Sequence, residues 1–353
     1  MTMVHIPPSA QSIVDPPVAL RLSQVLTMDI MGRASVTALS FISGYLVFRS
    51  LGAVTWGKLV RRRFASLIIP MTFWNCVMII IGFLVLVISG RELVFIEKLE
   101  GMSIPRIVAA RVFALNHDSA GAALNFLRDI FVCIVLSKPL EVVIRRFSWW
   151  PVLVLLLVES TVSFQPLVYR GMILVAFAAG IAYAHQYRGL EQVSRLRYFA
   201  LPALAVVLAV ELAGAIRAGP EMAIPGYEVF KRLAVSILMI DLALLLARSR
   251  LPVAWIRRMD HSTFLLFLSH HVVFLFLWGA WTAVFGESME FPYLVFFFLA
   301  PVACVAIAVA ATPVVGLLPA PLQVLVRGRV QTRPATGGQG QPLDVAKETG
   351  NPG

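Results

Sequence analysis

The chain has 353 residues, of which 59% are hydrophobic and only 14% charged, and its mean hydropathy of +0.84 excludes an ordinary soluble domain. The formal net charge of +11 lies mostly in short loops between apolar runs, which is typical of membrane topology and argues against a nucleic-acid partner. Cys76, Cys133 and Cys304 all fall inside apolar runs, so neither a disulfide framework nor a metal site is predicted. We predict an all-α, polytopic transmembrane helix bundle.

In chain order, residues 1–33 are polar overall and predict an external N-terminal segment. A transmembrane domain is predicted over residues 34–318 because apolar runs of near-spanning length follow one another there. The Gly-, Pro- and Gln-rich sequence near the end predicts a cytoplasmic, largely disordered tail over 319–353. The predicted spans number nine, at about 34–56, 66–88, 121–143, 149–167, 171–187, 198–216, 230–247, 262–284 and 291–318.

The loops on one side of these spans hold more Lys and Arg residues than the loops on the other side, where acidic residues gather. The more basic side is therefore predicted to be cytoplasmic. This orientation puts the polar N-terminal segment outside, although nothing in it would drive its own translocation. Since MTMVH also looks like the end of an apolar helix, we expect a further transmembrane helix ahead of Met1, which would raise the number of spans to ten.

A basic segment, WGKLVRRRF, precedes the second predicted span and contains Lys58, Arg61, Arg62 and Arg63. In a helix, the first three of these residues share one face. One interpretation is an orientation signal that is also attracted to anionic lipid. The other is a clamp for a cytosolic phosphate, because guanidinium groups match phosphate oxygens bidentately. The two interpretations are compatible, and the residues alone leave both open.

Histidines supply the candidate acid–base groups. His270 lies beside a second histidine within the eighth predicted span, where ionisable groups are costly and point to function. A hydrogen bond to a neighbouring helix explains either histidine alone equally well. His5 precedes two prolines, at the end of any helix arriving from upstream, and is suited to general-base work. His117 and Asp118 precede an apolar run, and Arg128 lies within the first turns of that run. Asp118 also suits a helix cap.

Four segments together resemble the acyltransferase-3 family of integral membrane acyltransferases. They are ALSFISGYLVFRSL followed by KLVRRRFASLIIPMTFWN, NFLRDIFVCIVLSKPL, STFLLFLSHHVVFLF with His270 at the family's histidine position, and MTMV before His5. The resemblance implies transfer of an acyl group from cytosolic acyl-CoA, chiefly acetyl-CoA with succinyl as the other candidate. The acceptor would be a sugar hydroxyl of an extracellular or envelope polysaccharide, or of its lipid-linked oligosaccharide precursor.

Several site residues follow from this resemblance. The catalytic candidates are His5, His270 and His117, and Arg128 and Asp118 are candidates for orienting the substrate. The cofactor-binding candidates for acyl-CoA are Lys58, Arg61, Arg62 and Arg63. No metal and no permanently bound cofactor are expected. The expected partners are membrane lipid, the glycan acceptor and polysaccharide assembly proteins. The expected location is a bacterial inner (plasma) membrane, with the C-terminus cytoplasmic.

Two other functions remain open on the sequence. A transporter or flippase for an anionic or glycolipid substrate would use the same polar groups within the membrane. The lack of an internal repeat in the sequence weighs slightly against it. A non-catalytic partner in polysaccharide assembly is the other alternative.

Overall fold

A computed structural model describes residues 5–7, 17–89, 102–115, 119–162, 164–165, 167–217, 226–249, 253–286 and 291–330, and within these ranges it contains helices but no strand. The α-helices are, in chain order, α1 (Val18–Gln24), α2 (Arg33–Leu51), α3 (Trp56–Arg63), α4 (Ile69–Ser89), α5 (Ile104–Ile107), α6 (Asn125–Val135), α7 (Ser137–Phe147), α8 (Trp150–Thr161), α9 (Gly171–Gln186), α10 (Glu191–Arg195), α11 (Arg197–Arg217), α12 (Tyr227–Arg248), α13 (Val253–Phe285), α14 (Phe291–Gly316) and α15 (Ala320–Arg327). π-Helical turns at Val25–Gly32, Phe64–Ile68 and Val108–Val112 continue α1, α3 and α5.

The predicted helical fold is confirmed, but nine spans are not. Among the described residues, five helices are long and apolar enough to cross a membrane. They are Val18–Leu51, Trp56–Ile88, Arg197–Arg217, Ser262–Phe285 and Pro292–Gly316.

Length and charge explain the four predicted spans that do not qualify. The run 121–143 divides into α6 and α7 at Leu136, so neither part is long enough. The helices α8 and α9 contain 12 and 16 residues, short of the roughly 20 that a bilayer requires. In α12, charged side chains interrupt the apolar sequence, and its buried Lys231 pairs with Glu211 of α11 at 2.6 Å.

Both ends of the described chain also differ from prediction. The first long helix begins at Val18, well before the predicted start near 34, and within it Arg33 pairs with Asp29 one turn earlier, 3.0 Å away. The tail predicted over 319–353 begins with α15, which starts after Pro319 and buries Gln323. Trp74 Nε1 of α4 donates a hydrogen bond to the carbonyl of Val326 in α15 at 2.9 Å. Residues 331–353 lie outside the described part of the chain.

The centre of the bundle is a close contact between α2 and α9. A Cβ at Gly44 would collide with the carbonyl of Phe177, and a Cβ at Gly180 would collide with the carbonyl of Phe41. Two glycines therefore let the two backbones touch, as the Ser43-Gly44 pair in FISGYL predicts. Because α9 is held so tightly, the loop just before it has a fixed position beside the candidate site.

Candidate functional site

Three histidines meet inside the bundle. His5 belongs to the short N-terminal stretch, and His270 and His271 belong to α13. The ring centroid of His5 lies 5.5 Å from that of His270 and 4.4 Å from that of His271. Each residue offers a ring nitrogen within 4.8 Å of the other two, so the three imidazoles form one cluster.

The hydrogen bonds of the two α13 histidines indicate their tautomers. His270 is fully buried, and its Nδ1 lies 2.7 Å from the carbonyl of Phe267. Because a carbonyl only accepts, Nδ1 carries the proton, and Nε2 of the neutral ring is left as an acceptor with no partner among the described residues. His271 Nε2 accepts from the backbone N–H of Ala123 at 3.3 Å.

The residues that follow His5 are held against α13 and α14. Ile6 is 1% exposed and belongs to the same apolar cluster as Phe274 and Tyr293. The Tyr293 hydroxyl donates a hydrogen bond to the carbonyl of Pro7 at 3.0 Å. These contacts attach residues 5–7 to α13 and α14, so the position of the His5 ring is set by packing.

Burial, with smaller contributions from the neighbouring His270 and Arg170, lowers the pKa of His5 to about 3. His5 is therefore neutral at physiological pH. A neutral imidazole has one nitrogen free to accept a proton.

Three imidazoles at this spacing are also a set of nitrogen ligands of the kind that Zn²⁺ uses. Two of the six ring nitrogens are already hydrogen-bonded to the protein backbone. The expectation that no metal takes part stays a prediction.

His5 lines a small cavity that is next to a larger one. The small cavity, of about 20 Å³, is the histidine cavity and is lined by His5, Arg33, Val36 and Arg170 among others. Arg33, Val36 and Arg170 also line a cavity of about 600 Å³ that we name the Glu159 cavity. The histidine cavity therefore shares walls with a polar space large enough for a sugar.

The second large cavity, the Arg327 cavity, has a volume of about 420 Å³ and is lined by Arg63, Arg327, Arg329 and Phe267. Phe126 lines both this cavity and the histidine cavity. Phe126 is thus a wall residue shared by the histidine cavity and an arginine-lined space.

Of the four basic residues predicted to bind the donor, Arg63 lines the Arg327 cavity. Lys58, Arg61 and Arg62 are exposed on α3 and do not line the cavities described above. The structure thus separates one member of the basic segment from the other three. Their predicted role stays untested.

Arg128 has a buried partner of its own. Its Nη1 lies 2.8 Å from Asp129 Oδ1, and its Nη2 donates to the carbonyl of Leu115 at 3.3 Å. The fully buried Asp129 also accepts the backbone N–H groups of Tyr169 and Arg170 at 3.0 and 3.1 Å. The pair therefore fixes the loop that carries Arg170 to the histidine cavity. His117 and Asp118 lie outside the described residues.

Sequence reasoning missed other residues near the site. Arg170 is an isolated charge before an apolar run in VYRGM. Only the hydrogen bond from its backbone N–H to Asp129 shows that it lies beside the site. Arg327 and Arg329 lie in APLQVLVRGR, where a proline near the start and a glycine near the end are typical of a short helix. Adjacent helix positions diverge by about 100°, so the sequence predicts that only one of His270 and His271 faces a given site and does not single out His271.

Residues 1–312 match the family model described as "Acyltransferase domain". The chain is 28% identical over 325 residues to the "Succinoglycan biosynthesis protein ExoH" of Rhizobium meliloti (strain 1021), an alignment that covers 87% of this chain and 84% of that protein. No solved structure matched. The match extends over nearly all of the described helices, including those that bring the three histidines together. The chain is a multi-pass membrane acyltransferase and belongs to the acyltransferase-3 family.

Proposed function

We propose that this enzyme moves a short acyl group from a cytosolic acyl-CoA to a sugar hydroxyl of an extracellular polysaccharide or its lipid-linked precursor. The observation that carries the proposal is that His5 lines a small cavity which shares wall residues with both the Glu159 cavity and the Arg327 cavity. Family membership favours an enzyme over the flippase alternative. The relationship to a succinoglycan biosynthesis protein supports a polysaccharide acceptor.

The side chains that line the two large cavities differ in chemistry, and each set suits one of the two substrates. The Glu159 cavity is lined by hydroxyl, carboxylate and guanidinium groups, including Ser160, Thr161 and Arg232, which suit the many hydroxyls of a sugar. The Arg327 cavity combines arginines with aromatic side chains, which suit a phosphate-bearing carrier with a weakly polar arm. With the basic segment on the cytoplasmic side, the donor enters from the cytosol and the acceptor from the opposite face.

In the proposed reaction, the sugar hydroxyl oxygen attacks the thioester carbonyl carbon while its proton passes to His5. The tetrahedral intermediate then collapses, the carbon–sulfur bond breaks, and the departing sulfur takes the proton from His5. The products are a sugar ester and a free thiol. His270, held by its bond to Phe267, would accept the other N–H of His5 and orient its ring, in the manner of a catalytic triad. Arg170 is the candidate for stabilising the negative oxygen of the intermediate.

The test uses membrane vesicles whose cytoplasmic face is exposed to labelled acetyl-CoA or labelled succinyl-CoA, with polysaccharide from a deletion strain as acceptor. The wild-type protein should transfer label from one donor, and His5→Ala should not. His185→Ala is the matched control because His185 is an exposed histidine on α9 that lines none of these cavities. The proposal fails if wild-type vesicles transfer neither acyl group, or if polysaccharide from deletion cells keeps its full O-acyl content by NMR.

A further inference from the structure

The turn Arg327-Gly328-Arg329 lines the Arg327 cavity together with Arg63. Three arginines from two distant parts of the chain therefore line one cavity, and no acidic residue among those described lines it. Arginines grouped around one space suit an anion with more than one phosphate, because a guanidinium group matches phosphate oxygens bidentately. The cavity volume of about 420 Å³ lies in the range of small-molecule sites.

Arg327 is held in place by bonds within the protein. It is 3% exposed, its Nη2 bonds to Gln323 Oε1, and its Nε donates to the carbonyl of Arg329 at 3.2 Å. Gln323 in turn donates to the carbonyls of Gly316 and Leu318 at 3.0 and 2.8 Å. The end of α15 is therefore tied to the end of α14.

Gly328 lets the chain turn towards the cavity. Its φ of +70° lies in the left-handed region that favours glycine. A Cβ at this position would also collide with the carbonyl of Ser66, which belongs to the π-helical turn just after Arg63. The close approach brings Arg329, which is exposed, to the same space as Arg63.

The other walls of the cavity are largely apolar. Leu67, Phe264 and Phe267 line it, and Phe126 leads from it to the histidine cavity. A ligand that fits carries several negative charges at one end and a weakly polar chain at the other.

We propose that Arg327 and Arg329 form the second half of a phosphate-binding site, opposite Arg63, for the nucleotide end of the acyl donor. Two or more phosphate groups bridge the guanidinium groups of the two segments, and the acyl end extends past Phe126 to His5. The identity of the donor as an acyl-CoA rests on the function proposed above. The anion site itself rests on the arginines alone.

The test measures binding of CoA to the full-length protein in detergent by isothermal titration calorimetry. Arg329→Gln and Arg63→Gln should each weaken CoA binding roughly tenfold, because each removes a charge-assisted hydrogen bond. Arg329→Lys should recover part of the loss. Arg146→Gln should bind like wild type, since Arg146 is exposed at the end of α7 and lines none of these cavities. The elution profile and melting temperature of each variant establish that it is folded, and the exposed Arg329 gives an informative variant even if Arg327→Gln fails to fold.

Equal CoA affinity in wild type and Arg329→Gln would overturn the proposal. It would also fall if only vesicles containing phosphatidylglycerol bind in an Arg329-dependent way, because the anion would then be a lipid headgroup. His5→Ala separates this proposal from the proposed reaction, since it should lose transfer and keep CoA affinity. Arg329-dependent CoA binding in a wild-type protein that transfers no acyl group would support the site and refute the reaction.

Discussion

His271 is in contact with His5 and also accepts a hydrogen bond from the short turn that directly precedes α6. The ring centroids are 4.4 Å apart, and the backbone N–H of Ala123 donates to His271 Nε2 at 3.3 Å. His270 lies 4.7 Å from His271, centroid to centroid. The His5 ring therefore meets both neighbours on α13, and the expectation that only one of two adjacent histidines faces a given site was wrong here.

We expect the three histidines to differ in their effects on turnover. His5→Ala should lower kcat by about 10² to 10⁴, the usual contribution of a general base, with an unchanged amount of protein in the membrane. His270→Ala should lower kcat and also melting temperature, because it removes a buried partner of the Phe267 carbonyl. His271→Ala should lower kcat less than His5→Ala.

The measurement is steady-state kinetics with the acyl donor varied, alongside melting temperatures. A positioning role for His270 and His271 predicts that kcat falls while the KM for the donor stays unchanged. If His5→Ala keeps wild-type kcat, the catalytic assignment is wrong. His185→Ala serves again as the control for removal of an imidazole.

Acid should destabilise the folded protein through His5. Its folded pKa is about 3, below the unfolded value of roughly 6.5, so the unfolded chain binds more protons between these two pH values. Stability therefore falls as the pH is lowered from 6.5 towards 3, and His5 has no such effect above pH 6.5. The melting temperature in detergent should drop from pH 7 to pH 4 by less in His5→Asn than in wild type. Equal drops in the two proteins would contradict the lowered pKa.

The buried carboxylate of Asp129 should matter more for structure than its sequence context suggests. It accepts two backbone N–H groups and pairs with Arg128. Asp129→Ala leaves the Arg128 charge buried without this partner, a change that typically costs about 3–5 kcal/mol. The Arg128→Met/Asp129→Leu double variant should recover part of that loss. Chemical unfolding in detergent measures both, and a double variant no more stable than Asp129→Ala would show that the loop contacts of Asp129 dominate.

The sequence predicted the helical membrane class, the family and two of the three clustered histidines, because apolar runs and short motifs are local features. It did not predict the histidine cluster itself, since the contact between His5 and α13 joins positions more than 260 residues apart. The nine predicted spans are not confirmed, because five helices among the described residues are long and apolar enough. Burial inside the bundle explains why α9 is apolar although it is too short to cross a membrane, since nearly all of its residues are buried. Burial does not explain α8, which buries only Val152. The role of Arg329 depends on a turn at Gly328 that no local charge pattern indicates.

The contact between α2 and α9 gives a prediction with an internal control. Gly44→Ala and Gly180→Ala should each destabilise the protein by about 1–3 kcal/mol, because the added methyl group meets backbone and the helices must separate. Gly214→Ala should be neutral or slightly stabilising, since nothing lies within 4 Å of a Cβ there and alanine favours a helix. Melting temperatures of the three variants in one detergent test this. Separation of α2 and α9 would also move Arg33 relative to Arg170, so the two destabilised variants should lose acyl transfer before they unfold. If Gly180→Ala matches Gly214→Ala in both stability and transfer, the close contact does not hold the site together.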